Sequence, residues 1–136
     1  LSSIKTMSQL NTPPIQRQGV RTFVKEYNDK LIKEVILREL RRGGQLFYVH
    51  NSIDHMPIKM GELKAILPDL RIVMLHSKIP AVQTEKELLK FEAGEYDLMI
   101  ATSIIESGIH MPNVNTMIID GADRFGIADL HQLRGR

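Results

Sequence analysis

Four short apolar runs constrain this chain most: "QLFYVHN" at 45–51, "RIVML" at 71–75, "DLMIA" at 97–101 and "NTMII" at 115–119. None alternates apolar with polar residues. A strand apolar on both faces must be covered on both, and such strands belong to parallel sheets flanked by helices. The intervening segments supply helices. Asn28 is a good N-cap for a helix over about Asp29–Arg42, where Ile32, Val35, Ile36 and Leu40 fall at helical spacing and Gly43-Gly44 stop it. Further helices are predicted at about 58–67 and at about 81–93, the latter carrying Val82, Leu88, Leu89 and Phe91. "VRTFVKEY" at 20–27 suits a first strand, and a helical segment is expected near 126–134. Residues 1–18, polar and containing Pro13-Pro14, read as a linker into a domain over 19–136.

Strands alternating with helices predict an α/β fold, a parallel sheet with helices on both faces. The chain's 136 residues, 43% hydrophobic, are enough for one packed core. Such sheets bind ligands beyond the carboxyl ends of their strands. Those ends read Tyr27-Asn28, His50-Asn51, His76-Ser77-Lys78, Thr102-Ser103 and Asp120-Gly121.

Several functions are excluded or left without support. With no cysteine there is no disulfide framework and no thiolate metal site, which suits a cytoplasmic protein. No apolar run approaches the roughly 18 residues of a membrane span. The net charge of +2 permits a polyanionic partner without demanding one. There is no G-x-x-x-x-G-K-[ST] phosphate loop and no paired acidic strand end to hold magnesium. His50, His55, His76, His110 and His131 lack metal-ligand spacing, and Ser103 and Ser107 lie outside any G-x-S-x-G elbow. The chain has no complete catalytic apparatus of its own.

Two late features carry chemistry. Thr102-Ser103 places two hydroxyls at a strand end before turn-forming residues, where they can hold a phosphate or cap a short helix in "SIIES". Spacing alone leaves both open. "HQLRGR" at 131–136 places Arg134 and Arg136 where a bidentate phosphate contact, or a solvated basic tail, would serve equally.

Together these stretches resemble the second motor domain of superfamily 2 helicases and translocases. "ATSIIESGIHMPNVNTMII" is similar to their motif V, "ADRFGIADLHQLRGR" to the approach to motif VI, and "GGQLFYVHN" to motif IV. The pairing of "ADRFG" with "HQLRGR" is shared by RecG-like fork-remodelling helicases and bacterial transcription-repair coupling factors. The segment 12–51, with T-P-P-x-x-R, T-F-V and R-G-G-Q, resembles the coupling factors, with RecG-like helicases as the second reading.

The resemblance implies a RecA-like (P-loop NTPase-type) helicase C-terminal domain, incomplete after motif VI, cut from a longer motor. ATP and Mg2+ would be bound mainly by a first motor domain outside this chain, with none expected here. It implies double-stranded DNA as partner, with RNA polymerase and excision-repair proteins met through other domains. Thr102, Ser103, His76 and Ser77 would contact the DNA backbone, and Asn51 less directly. Glu106, Gly108 and His110 would form the loop coupling DNA to the nucleotide, and Gln132 and Arg136 would face the nucleotide as catalytic residues. His110 stands where the family has Asp, so a fixed anion is lost there. Ser77 stands where the family has Gly. The isolated chain is expected to be catalytically inactive, to bind DNA in a salt-sensitive way, and to expose a sheet edge open to self-association. A non-enzymatic nucleic-acid-binding module is the alternative from another class. A flavodoxin-like nucleotide binder is disfavoured by the lack of a Gly-rich first loop.

Overall fold

The computed structural model describes residues 22–24, 28–102, 111–121 and 125–129. In chain order they form β1 (Thr22–Val24), α1 (Asp29–Arg41), β2 (Gln45–His50), α2 (Met56–Ile66), β3 (Ile72–Leu75), α3 (Ala81–Glu92), β4 (Leu98–Ala101), β5 (Val114–Asp120) and β6 (Phe125–Asp129). The strands make one sheet in the order β1-β6-β5-β2-β4-β3. β5, β2, β4 and β3 run parallel, as predicted, while β6 pairs antiparallel with β5 and β1 antiparallel with β6.

Handedness explains the placement of the helices. The chain passes from β2 over the β4 position to β3 through α2, then back to β4 through α3. Right-handed crossovers in opposite directions put their helices on opposite faces. Accordingly Leu46 and Tyr48 of β2 pack with Ile32 and Ile36 of α1 and Met56 and Leu63 of α2. The alternate residues Phe47 and Val49 face Phe91 of α3, with the Phe47 and Phe91 rings stacked 5.9 Å apart.

α1 begins as predicted, with the Asn28 side chain accepting from the backbone N–H of Lys30 (2.8 Å) and Leu31 (3.3 Å). It ends in a Schellman turn, where Gly43 adopts φ +75° and the N–H of Gly44 donates to the Glu39 carbonyl at 3.0 Å. α2 begins at Met56, earlier than the predicted 58, with a proline in its first turn.

The amino edge of the sheet is fastened by buried polar groups. Glu39 of α1 is 1% exposed. Its carboxylate accepts from the Thr116 hydroxyl (2.6 Å) and Asn115 (2.9 Å) at the start of β5, and from Arg42 (2.9 Å). Burial pushes the Glu39 carboxyl up, but the hydrogen bonds from Arg42, Thr116 and Asn115 outweigh it and hold the group below its ordinary value. Beside it, Gln45 Nε2 donates to the Phe91 and Tyr96 carbonyls at 2.7 and 2.8 Å, tying β2 to the end of α3. "RGGQ" at 42–45 is therefore a structural device: an arginine for the buried acid, a left-handed glycine, a glycine with no room for a side chain, and an amide cap for a neighbouring helix.

Two expectations are corrected. Of the helical segment expected near 126–134, residues 126–129 belong instead to a strand, Phe125–Asp129, and the rest lies outside the described residues. The strand's alternating sides feed the two cores, Phe125 with one and Ala128 with the other, and hydrogen bonding to β5 and β1 overrides the local helical tendency. The sheet is consequently mixed rather than wholly parallel. On the β5 side it continues through β6 to β1, so among the described residues its edges are β1 and β3. The expected linker at 1–18 lies outside the described residues.

Candidate nucleic-acid interface

The carboxyl edge of the parallel strands collects the polar groups singled out in the sequence. Val49 and Leu75 both pair with Ala101, so His50, Thr102 and His76 follow at one level on the adjacent strands β2, β4 and β3. This register brings Thr102, His76 and Ser77 around one open cleft of about 420 Å³ between the ends of β3 and β4 and the start of α3. Leu75 and Leu88 give it an apolar floor, and Thr84 and Glu85 of α3 add polar groups.

Apart from the Glu85 carboxylate, which only accepts, the polar groups of the cleft can donate hydrogen bonds. The N–H of Lys78 donates to His76 Nδ1 at 3.2 Å, so the neutral ring carries its proton on Nε2. The turn holding Ser77 is closed by the Ile79 N–H on the His76 carbonyl at 3.1 Å. α3 begins after Pro80, which provides no side-chain cap, and Ala81 and Thr84 of its first turn line the cleft. A helix start of this kind favours a negatively charged neighbour. Hydroxyls, an imidazole N–H and a helix start together suit a phosphate oxygen. Contacts of that kind to phosphate carry no base information.

Asn51 stands apart from the cleft. It is exposed and opens the loop from β2 to α2. At this end of the sheet, on the face of α1 and α2, the Tyr48 hydroxyl donates to Asp120 Oδ2 at 2.7 Å. Ser103, Glu106, Gly108, His110, Gln132 and Arg136 lie outside the described residues. Among the described residues no group of three or more histidines and carboxylates could hold a metal ion. Nor is any described helix long and apolar enough to cross a membrane. Sequence reading missed Thr84 and the start of α3 as partners of the strand ends, because their approach depends on the packing of α3 against the sheet.

Residues 26–136 match the helicase conserved C-terminal domain family. The chain belongs to that family. Over all 136 residues it is 54% identical to a transcription-repair-coupling factor of Helicobacter pylori (strain J99) and 45% identical to one of Myxococcus xanthus. Over 133 residues, 98% of the chain, it is 41% identical to the transcription-repair-coupling factor of Bacillus subtilis. It spans 14%, 11% and 11% of the lengths of these three relatives. The likeness to coupling factors drawn from segment 12–51 is thus borne out, and the helicase C-terminal family accounts for the α/β sheet with helices on both faces.

Proposed function

We propose that the chain is the second motor domain of an ATP-dependent double-stranded DNA translocase of the transcription-repair coupling type. In the full-length protein it would help displace stalled RNA polymerase and bring in excision-repair proteins through other domains. The observation that carries the reading is the convergence of Thr102, His76 and Ser77 on one cleft at the carboxyl edge, beside the start of α3. A motor that moves over any sequence needs contacts to the backbone and none to bases. The names of the similar proteins supply the biological setting.

ATP and magnesium would be held mainly by the first motor domain. The described residues offer neither a metal cluster nor a phosphate loop. Gln132 and Arg136 would meet the nucleotide from this side, where an arginine can stabilise developing charge on the transferred phosphoryl group. Because that arginine belongs to this domain and the phosphate loop to the other, turnover would require the two domains to close.

The test is Ser77→Ala with Thr102→Ala in the full-length protein, read as ATP turnover against DNA concentration. Losing two hydrogen bonds to charged phosphates, each about 1.5 kcal/mol, should raise the half-saturating DNA concentration by about 100-fold, alike for unrelated sequences. Unchanged DNA dependence would refute the assignment of the cleft.

A further inference from the structure

Three side chains from either side of the loop at 51–55 converge on one oxygen of the neighbouring strand. Before the loop, the Tyr48 hydroxyl donates to Asp120 Oδ2 at 2.7 Å, and His50 Nε2 lies 3.9 Å from the same atom. After the loop, Lys59 Nζ, one turn into α2, lies 3.8 Å from it. The side chains of His50, Lys59 and Asp120 are only 12%, 11% and 17% exposed, so their charges and dipoles are poorly screened. Lys59 also meets Glu62, at 2.8 Å.

The loop passes these attachments inward. The Ser52 N–H donates to His50 Nδ1 at 3.1 Å, which leaves the proton of the neutral ring on Nε2, the nitrogen near Asp120. The Ser52 hydroxyl lies 3.1 Å from His55 Nδ1, and the Lys59 N–H donates to the His55 carbonyl at 2.9 Å. The position of Asn51, between His50 and Ser52, is therefore tied at both ends of its loop to one carboxylate.

We propose that Asp120 is a positioning residue that clamps the 51–55 loop and so sets Asn51 against the DNA backbone. This rests on the DNA-contact reading of the carboxyl edge above, extended to Asn51, the less direct contact that the resemblance implies. At 3.8 Å the Lys59 ammonium is held to Asp120 by charge attraction rather than a hydrogen bond, and the neutral His50 ring adds only the dipole of its Nε2–H at 3.9 Å, so the clamp depends on the carboxylate charge. Asp120→Asn removes that charge and keeps an oxygen able to accept from Tyr48. Lys59→Met removes the other pole, and Lys59→Arg preserves it.

The experiment measures ATP turnover against DNA concentration in the full-length protein, with the Ser77→Ala, Thr102→Ala variant alongside. Asp120→Asn and Lys59→Met should each raise the half-saturating DNA concentration about three- to tenfold, with the maximal rate held within about twofold and Lys59→Arg close to the parent. The proposal is overturned if Asp120→Asn and Lys59→Met retain parental DNA dependence while the Ser77, Thr102 variant loses it. A fall in maximal rate at constant half-saturation overturns it equally. If none of the variants shifts the DNA dependence, the DNA-contact reading fails and the clamp fails with it. Should Asp120→Asn fail to fold, the Lys59→Met and Lys59→Arg pair decides alone, since loss in the first and retention in the second is the signature of the charge.

Discussion

Replacing Gly44 by alanine would put a methyl carbon 1.8 Å from Oε2 of Glu39, 2.8 Å from its Cδ and 3.1 Å from Nδ2 of Asn115. Gly44 is not among the left-handed glycines, so the backbone itself would accept alanine. The cost lies in the carboxylate, which cannot move without loosening its bonds to Thr116, Asn115 and Arg42. Bonds to a charged group contribute about 1.5–3 kcal/mol each, and part can re-form after a small shift, so Gly44→Ala should destabilise by about 2–4 kcal/mol. Glu39→Ala alone should lose about 2–4 kcal/mol, because it removes an acceptor from the buried Thr116 hydroxyl and from Asn115, while Arg42, 44% exposed, can turn to water. In the double variant the new methyl enters vacated space, so adding Gly44→Ala to Glu39→Ala should cost less than about 1 kcal/mol. Urea unfolding of the four proteins, followed by circular dichroism and extrapolated linearly, gives the coupling directly. Additive losses would refute the claim that Gly44 is required by the buried carboxylate.

Other consequences can be checked on the same material. Because Glu39 is held below the ordinary carboxylate value in the folded state, it contributes stability above that value, about 4.5, that is lost as pH falls through its native value. Acidification from neutral pH should therefore cost the parent more stability than Glu39→Gln, and equal pH slopes would contradict this. The Tyr96 hydroxyl, hydrogen-bonded to the Glu87 carboxylate at 2.5 Å and further affected by burial, is pushed up to about 12. Ultraviolet titration should find a tyrosine ionising near that value and returning toward 10 in Glu87→Gln, its stabilising effect being complete below 10 and lost as pH rises through 12. Asn28→Ala should cost about 1 kcal/mol through loss of the α1 cap, measured as a shift in the urea midpoint at constant slope. In the full-length protein, Arg136→Ala should abolish most DNA-stimulated turnover while ATP binding persists, since effects of about 10³-fold or more attach to such arginines. Undiminished turnover would remove Arg136 from the nucleotide site.

What the sequence disclosed follows the range of the forces involved. β2 to β5 were legible because a strand buried on both faces has to be apolar throughout, and α1 because Asn28 and Gly43 act on their own neighbours. Strand order was not legible, since the insertion of β4 between β2 and β3 depends on pairing between residues distant in the chain. β6 was misread for the same reason: "FGIAD" becomes a strand through partners at β5 and β1, outside any local window. Glu39 lies among apolar residues on the inner side of α1, and its burial makes sense only beside Thr116 and Asn115. Of the candidate cleft, Thr102, His76 and Ser77 were legible as strand-end groups, because ligands collect at the carboxyl ends of parallel strands. The clamp at Asp120 was not, because its members come from β2, α2 and β5 and no motif connects them.

The place of β4 has a mechanical meaning. Thr102 follows a strand hydrogen-bonded on both sides, to β2 through Leu98–Ala101 and to β3 through the same four residues. Among the described residues, a pull on Thr102 along the strand loads two ladders in shear at once, whereas the same pull on His76 loads the single ladder joining β3 to β4. Between these two neighbours on the cleft, the hydroxyl is the stiff anchorage and the imidazole the compliant one. A polymer held by both under tension would draw the β3 side away first and keep its hold at Thr102 longest.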